Sequence, residues 1–487
     1  MKHPLLFALL ATIIALALRL PHLERRPMHT DEAVHGVRFA DLLERGAYEY
    51  DPHDYHGPML YYATLPVAWL RGERTLWQLT ETTLRLVPLL FGIGLILLLY
   101  LAGGALGRAE AAWAALFTAV SPFMVYFSRY YIMEMLLVFF TFALLLSVWR
   151  YWQSGKAGWA VAVGVCVGLM HATKETCVIT WFCVAVALAG LWFVQSQRPA
   201  VRPAHLVAFV LAAVVVSVTL FSVFYTDWRG VPQSVLTYFH YIRRGQGSGH
   251  EHPWYAYLRW FVWHRTGKIV WTELAILLLA MLGGVLAFRQ QHGFGKLLGF
   301  YAAVMAAVYF LIPYKTPWSI LSWVHALILL AGIAAAWLAK RVPWLAWPLL
   351  LVVAAHLAFQ SLRAISARFE CDERAPYVYS HTSRDAVRLA ERIQQIAAVS
   401  PERKRMVVKF MAKEYWPLPW YLREMPHVGY WNQPADPTGA SVIITSPEFN
   451  LDFGEGWQTE LFGLRPGVVL VVHIRRDLWD KFMESRR

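Results

Sequence analysis

Three apolar runs follow one another closely: RLVPLLFGIGLILLLYLAG (85–103), AAWAALFTAVSPFMVYFS (111–128) and IMEMLLVFFTFALLLSVW (132–149). A helix that crosses a bilayer needs about 20 mostly apolar residues, so each run is long enough, or nearly long enough, to span. Similar runs recur along most of the chain. We therefore predict eleven transmembrane helices, at about 4–20, 85–103, 111–128, 132–149, 158–171, 177–195, 205–225, 270–288, 297–313, 318–338 and 343–361.

The composition agrees with a helical, polytopic membrane protein. Of the 487 residues, 57% are hydrophobic, 16% are charged and 15% are aromatic. Soluble domains carry roughly 25% charged residues, so this balance excludes a disordered chain and argues against a soluble enzyme. The net charge is +13, but there is no Lys/Arg-rich run of the kind that binds nucleic acid. We predict no nucleic-acid partner.

Basic residues between the spans predict the orientation. If the N-terminus is cytoplasmic, the short segments on that side hold almost only cations, namely Lys2, Arg108, Arg150, Lys156, Arg198, Arg202, Arg289, Lys296, Lys340 and Arg341. Cytoplasmic loops carry such an excess of Lys and Arg. We therefore predict a multi-pass protein of the cell (inner or plasma) membrane. The long loops 21–84 and 226–269 would then lie on the extracytoplasmic side.

The composition changes after residue 361. DAVRLAERIQQIAAV (385–399) has the spacing of an amphipathic helix. Three short β-rich runs, MVVKFM (406–411), SVIITS (441–446) and VVLVVHI (468–474), read as strands bounded by Pro, Gly and Asn. We predict a transmembrane domain over 1–361 and a small extracytoplasmic α/β domain over 362–487.

The motif HTDEAVHG (29–36) follows the first span directly. We predict a helix from Asp31 to about Ala47, with Thr30 as its N-cap. The helix dipole favours an ionised carboxylate in the first turn, and such a carboxylate can take a proton from an incoming hydroxyl. Asp31 and Glu32 are therefore the candidate catalytic residues. The alternative is that both only complement the helix start.

A second cluster, DPHDYHGPMLYY (51–62), contains Asp51, His53, Asp54 and His56. Glu32 and His35 are three residues apart and can share one face of a helix. His and Glu are common ligands of divalent metals. No cofactor is otherwise indicated, and we keep a divalent metal as an open candidate, with Glu32, His35 and His56 as ligands. No HExxH-type spacing supports it.

Cations stand in three short motifs between spans: Arg129 in SRYYIMEM (128–135), Lys174 in HATKET (171–176) and Lys315 in PYKTPW (313–318). Arg259 adds a fourth in the loop 226–269. Arg and Lys neutralise phosphate oxygens, so together these residues suit a lipid phosphate at the membrane surface. The alternatives are ordinary loops, or a simple ion pair between Arg129 and Glu134.

These motifs resemble those of the membrane glycosyltransferases of the GT-C fold. Asp31-Glu32 in HTDEAVHG resembles the acidic pair of that superfamily's first loop. YHGPMLYY (55–62) is similar to the His-Pro-Pro-Leu segment of protein O-mannosyltransferases, with Gly57 in place of the first Pro. The same motifs, with KTPW and YWPLPWYLR (415–423), resemble the flippase-activity-associated family of archaea and bacteria.

The resemblance implies a GT-C-like bundle of about eleven helices and a sugar donor carried on a polyprenyl phosphate. Transfer to a glycan, lipid or protein acceptor would proceed by one displacement, with inversion. Asp31 would deprotonate the acceptor, and Glu32 would assist, either by positioning or through a metal. The donor phosphate would be bound by Arg129, Lys174, Lys315 and Arg259. The sugar or acceptor pocket would be shaped by His56, Tyr131 and Glu134.

Two other functions remain open at this point. The chain could be a non-catalytic partner that translocates or hands over lipid-linked sugars, but such a carrier has no obvious need for an outward carboxylate. A secondary transporter predicts repeated halves and ionisable residues near the membrane midplane. The sequence shows neither feature.

Overall fold

Helices form most of the structure, a computed structural model that describes residues 4–53, 56–244 and 249–486. The helical part contains α1 (Pro4–Arg19), α2 (Thr30–Arg45), α3 (Met59–Leu70), α4 (Glu81–Leu101), α5 (Gly103–Leu106), α6 (Arg108–Val120), α7 (Pro122–Phe127), α8 (Glu134–Ser154), α9 (Ala157–His171), α10 (Cys177–Val194), α11 (Pro203–Phe221), α12 (Gly230–Arg244), α13 (Ala256–Val262), β1 (His264–Thr266), β2 (Ile269–Trp271), α14 (Leu274–Arg289), α15 (Gly293–Leu311), α16 (Leu321–Arg341) and α17 (Pro343–Ala364). The terminal part contains α18 (Arg384–Val399), β3 (Val408–Met411), α19 (Leu418–Tyr421), β4 (Val428–Trp431), β5 (Val442–Thr445), β6 (Trp457–Arg465), β7 (Val468–Arg475) and α20 (Arg476–Glu484).

The predicted spans coincide with helices. In the described part of the chain, seven helices are long and apolar enough to cross a membrane: α4, α8, α10, α11, α15, α16 with the short turn before it, and α17. Three further predicted spans coincide with the shorter helices α1, α9 and α14. The remaining one, 111–128, is broken into α6 and α7. Ser121 caps α7 and Pro122 is its first residue, a position where Pro starts helices readily.

The centre of the bundle is α16, which is almost entirely buried and packs against α6, α8, α14 and α15. Small residues permit the closest approaches between helices. A Cβ on Gly164 of α9 would lie 2.2 Å from the Phe209 carbonyl oxygen of α11. Gly168, one turn later, approaches the Ala213 carbonyl oxygen in the same way. This small-xxx-small spacing is typical of helix pairs inside membranes.

The terminal part is built on a five-stranded sheet with the order β4-β3-β5-β7-β6. β3 runs parallel to β4 and β5, whereas β7 is antiparallel to β5 and β6. α18 and α20 pack on it and bury Leu389, Ile393 and Leu478. The predicted helix and three strands are confirmed, while β4, β6 and α20 were not predicted. Phe369 and Tyr377 still pack in the core of the helical part, beyond residue 361.

Candidate functional site

The start of α2 is fixed by a reciprocal pair of hydrogen bonds. His29 Nδ1 accepts the Asp31 N–H at 3.1 Å, and Glu32 Oε2 accepts the His29 N–H at 3.1 Å. This is a capping box in which an imidazole nitrogen does what a hydroxyl usually does. The predicted cap Thr30 is therefore wrong, since Thr30 is already the first helical residue. The helix ends at Arg45, because Gly46 adopts a left-handed conformation.

Glu32 lies on the face of this turn that is packed against Arg26, Arg85 and Tyr131, which we call the sealed face. It is fully buried and accepts two bonds of 2.8 Å from Arg85 and one of 3.1 Å from Arg26. The Tyr131 N–H adds a bond of 2.9 Å. Burial raises the pKa of Glu32, but the two guanidinium groups lower it much further. Both carboxylate oxygens are occupied, so Glu32 ties α2 to α4 and to the segment before α8.

Asp31 lies on the opposite, solvent-accessible face of the same turn, which we call the open face. Its side chain is 43% exposed. Burial by its neighbours raises its pKa, but electrostatic interactions with His29, His35 and Lys174 lower it more strongly, and the net shift is downward. His35 is buried and bonded to Tyr61 Oη at 2.9 Å. Burial lowers the pKa of His35 to about 3, so this imidazole is neutral near pH 7. The result is an ionised, accessible carboxylate.

The turn after α9 lies near Asp31, since its Lys174 is close enough to lower the pKa of that carboxyl. Lys174 forms a buried ion pair with Glu134, the first residue of α8. Glu175 accepts a bond of 2.6 Å from His56 Nδ1. The loop at His56 approaches this turn so closely that a Cβ on Gly57 would lie 2.3 Å from the Ala172 carbonyl oxygen. Glycine is therefore required here, in the position where the protein O-mannosyltransferase motif has its first Pro.

Two of the predicted phosphate ligands, Arg129 and Lys315, donate hydrogen bonds to backbone carbonyl oxygens in the structure. The Arg129 guanidinium donates to the carbonyl oxygens of Arg19, Pro21 and His22 at 2.6, 2.8 and 3.1 Å. Arg129 does not pair with Glu134, which takes Lys174, so the proposed Arg129–Glu134 pair is wrong.

Lys315 is fully buried and donates to the carbonyl oxygens of Tyr309, Phe310 and Ile312 at the C-terminal end of α15. A lysine there satisfies carbonyl groups that the helix leaves unpaired. Arg259, on α13, differs from both Arg129 and Lys315. Its side chain is exposed and forms no ion pair with any described residue.

The three candidate metal ligands do not converge as a set, because the rings of His35 and His56 lie 6.0 Å apart but Glu32 is bonded to arginines. Glu32 faces Arg26 and Arg85, His35 bonds to Tyr61, and His56 bonds to Glu175. Over residues 4–53, 56–244 and 249–486, no group of three His, Cys, Asp or Glu side chains is arranged to hold a metal. Asp54, named with this cluster, lies outside the described residues. Tyr131 is buried, and its hydroxyl bonds to Thr64 Oγ1 at 2.8 Å.

The motif YWPLPWYLR docks on the first loop. Trp420 Nε1 donates to Glu81 at 2.8 Å, and Tyr421 Oη accepts the Met28 N–H at 2.7 Å. Arg423 donates to the carbonyl oxygens of Leu76 and Leu79. The terminal part is thereby held against the segment that carries Asp31.

Sequence reasoning missed Arg26, Arg85 and Arg465 as parts of this region. One signal was available for Arg85, the first residue of the predicted span 85–103, since a charge in a transmembrane helix usually marks a functional or structural site. Arg26 and Arg465 lie in polar segments, where a single cation carries no such signal.

The comparisons with known proteins concern the family and the fold. Residues 9–229 match the family described as dolichyl-phosphate-mannose-protein mannosyltransferase. The structure resembles that of ArnT from Cupriavidus metallidurans bound to undecaprenyl phosphate, at 17% identity, with a TM-score of 0.66, over 96% of this chain and 98% of that chain. It also resembles the oligosaccharyltransferase AglB from Archaeoglobus fulgidus in complex with an inhibitory peptide and a dolichol-phosphate, at 11% identity, with a TM-score of 0.57, over 99% of this chain and 77% of that chain.

No curated protein matches the sequence. The structural likenesses confirm the predicted fold, that of the GT-C membrane glycosyltransferases, in a multi-pass membrane protein. Together with the family match, they support the prediction that the chain is a glycosyltransferase.

Proposed function

We propose that this protein transfers a sugar from a polyprenyl-phosphate-linked donor to an acceptor hydroxyl on the extracytoplasmic face of the cell membrane. The observation that carries the proposal is the Asp31 carboxylate, which is ionised, 43% exposed and fixed at the start of α2. The ArnT and AglB structures contain undecaprenyl phosphate and dolichol-phosphate, which are both polyprenyl phosphates. The basic segments between spans support a cytoplasmic N-terminus and an extracytoplasmic Asp31.

In the proposed reaction, Asp31 takes the proton of the acceptor hydroxyl while the hydroxyl oxygen attacks the anomeric carbon. The bond from that carbon to the phosphate oxygen breaks, and the polyprenyl phosphate leaves with the electron pair. One displacement inverts the anomeric configuration. Glu32 acts indirectly in this scheme, because its bonds to Arg26 and Arg85 fix the turn on which Asp31 stands.

The leaving phosphate needs compensation of its charge more than it needs a proton. Of the four predicted cations, Arg259 is exposed, and Lys174 is near enough to Asp31 for its charge to lower the pKa of that carboxyl. We assign the phosphate to these two. Arg129 and Lys315 then have a structural role, in which their hydrogen bonds fix the backbone segments that they contact.

The sugar pocket is assigned to the side chains around the Lys174 turn. His56 is 27% exposed and is oriented by Glu175, and Glu134 orients Lys174. Tyr131 supports this wall through Thr64. No step of the mechanism passes through a metal. Chelation with EDTA tests the divalent-metal candidate separately, since a loss of turnover that Mg²⁺ or Mn²⁺ restores would add a metal to the scheme.

Mass spectrometry of the lipids that copurify with the full-length protein tests the function. We compare the wild type with Asp31→Asn and with Asp41→Asn, a matched control on the exposed face of α2. We expect a polyprenyl-phosphate sugar to accumulate on Asp31→Asn, and free polyprenyl phosphate on the other two. Equal amounts of the sugar lipid on all three would contradict transfer and favour a non-catalytic carrier. Absence of any polyprenyl lipid on all three would contradict the donor class.

A further inference from the structure

One guanidinium of the terminal sheet reaches the start of α2. Arg465 is the last residue of β6, and its Nη1 donates to Thr30 Oγ1 at 3.3 Å. Its Nη2 forms an ion pair with Glu414. The side chain is only 19% exposed, so it lies in the interface between the terminal part and the helical part. Asp31 is close enough for its charge to raise the pKa of Arg465, against the stronger lowering by burial.

A β-bulge directs Arg465 towards α2. In the β6–β7 pair, Gly463 lies opposite Val469 and Arg465 lies opposite Val468, so Leu464 is the extra residue. The Ser383 N–H and Oγ bind the carbonyl oxygens of Leu464 and Gly463, which fixes the bulge. Bulges re-aim side chains and are over-represented beside active sites.

The charge at this place is not needed for docking. Trp420, Tyr421 and Arg423 already hold the terminal part on the first loop. The N-terminal end of a helix carries a partial positive charge and disfavours a nearby cation. A neutral hydrogen-bonding side chain would serve better as a mere tether to Thr30. The location of Arg465 is explained if its partners include the Asp31 carboxylate as well as Glu414.

We propose that Arg465 is a positioning residue for Asp31, and that the terminal part of the chain completes the active centre through it. This inference rests on the proposed function. Arg465 holds the first residue of α2 and places a positive charge beside the carboxylate. The other charged or titratable groups around Asp31 are Glu32 and His35 of α2, the N-cap His29, His56 of the first loop, Tyr130 before α8, Lys174 and Glu175 of the turn after α9, Glu134 of α8, and Glu414 of the terminal part.

The test compares Arg465→Gln, which can still bond to Thr30 but has no charge, with Arg465→Lys, which keeps the charge. Arg475→Met is the matched control, because Arg475 lies on the same hairpin and pairs with the exposed Asp477. The full-length protein is supplied with a membrane lipid extract that contains polyprenyl-phosphate sugars. The release of polyprenyl phosphate is followed across pH, which requires no knowledge of the sugar.

We expect Arg465→Gln to lower kcat about ten- to a hundredfold with little change in KM, because a misplaced reacting group costs rate rather than binding. Loss of the nearby positive charge raises the pKa of Asp31, so the acid limb of the kcat profile moves to higher pH. In Arg465→Lys, which keeps the positive charge, the acid limb of the kcat profile returns at least in part to its wild-type pH. Arg475→Met behaves like the wild type.

Unchanged kcat and an unchanged acid limb in Arg465→Gln would overturn the inference, provided that Asp31→Asn is inactive in the same assay. A lower kcat in both Arg465 variants with no movement of the acid limb would make Arg465 a tether and would also overturn it. If Asp31→Asn itself turns over like the wild type, the proposed function fails instead. The two failures are thereby distinguished.

Discussion

The first turn of α2 has two faces that treat neighbouring carboxylates in opposite ways. On the sealed face, Glu32 is fully buried and bonded to Arg26, Arg85 and the Tyr131 N–H. On the open face, Asp31 is 43% exposed, with imidazoles and the Lys174 turn around it. A buried charge persists only when it is paired and hydrogen-bonded, whereas a carboxylate that does chemistry must stay accessible. The sealed face fixes the turn, and the open face leaves a carboxylate accessible.

The cations divide along the same line. Arg129 and Lys315 are buried and donate hydrogen bonds to backbone carbonyl oxygens. In this they resemble Arg26 and Arg85 on the sealed face, whose guanidinium groups are also buried and hydrogen-bonded. Arg259 is exposed, and Lys174 is paired with the carboxylate of Glu134. The cations at this end of the bundle therefore fall into two groups, which differ in their burial and in their hydrogen-bonding partners.

The largest expected effect is on the sealed face. Glu32→Gln leaves Arg26 and Arg85 buried without a counter-charge, and breaking a buried pair in this way costs about 3–5 kcal/mol. We expect a large fall in the thermal unfolding temperature of the protein in detergent. Asp31→Asn is the matched control and should unfold within a few degrees of the wild type. If Glu32→Gln unfolded like Asp31→Asn, the division into two faces would be wrong.

A smaller effect is expected at the wall of the open face. Gly57→Ala forces a Cβ to within 2.3 Å of the Ala172 carbonyl oxygen, so the loop that carries His56 must shift. Overpacking of this kind costs about 1–3 kcal/mol, and the shift should also reduce turnover. Gly456→Ala is the control, since a Cβ there meets nothing within 4 Å. Wild-type stability and turnover in Gly57→Ala would contradict the close approach.

The pH dependence of stability tests the neutral His35 of the open face. Its pKa is lowered from 6.5 to about 3 in the folded protein, so below pH 6.5 protons bind preferentially to the unfolded state. Stability is complete above about pH 6.5 and falls by roughly 1.4 kcal/mol per pH unit below it. His35→Gln should flatten this slope between pH 6.5 and 4, whereas His427→Gln, on the exposed surface, should not. An equal slope in wild type and His35→Gln would refute the assignment.

The smallest effect on the unfolding temperature is expected for a solvent-exposed ion pair. Lys404 pairs with Glu424, and the two side chains are 68% and 48% exposed. Such exposed pairs contribute about 0–1 kcal/mol. Lys404→Ala should therefore shift the unfolding temperature far less than Glu32→Gln does. A comparable shift would mean that burial is not what separates the sealed face from ordinary surface charge.

Local patterns in the sequence predicted the fold well. Apolar runs, the 3.6-residue spacing over 385–399 and the β-rich run at 441–446 depend only on neighbouring residues. β4 and β6 were missed because VGYW (428–431) and WQTELFGLR (457–465) have no clear alternation of apolar and polar residues. Their pairing with β3 and β7 is what makes them strands.

The site was predicted less completely, because its contacts join distant residues. Asp31 follows from its motif, but Glu32 meets Arg85 only after the first loop has folded back on α4. The carbonyl oxygens that occupy Arg129 belong to the end of α1 and the residues after it. Arg465 reaches Thr30 from the terminal sheet. No spacing rule connects such positions, so residue type alone could not show that Arg129 and Lys315 bind backbone carbonyl oxygens.

The most direct test of the central claim is the release of polyprenyl phosphate from a membrane lipid extract by wild type, Asp31→Asn and Asp41→Asn. Loss of a general base lowers turnover by about 10²–10⁴-fold. We predict a loss of that size in Asp31→Asn, with an unfolding temperature within a few degrees of the wild type and with the sugar lipid retained, and no loss in Asp41→Asn. Undiminished release by a folded Asp31→Asn would contradict the account, because the open face would then hold a carboxylate that the reaction does not use.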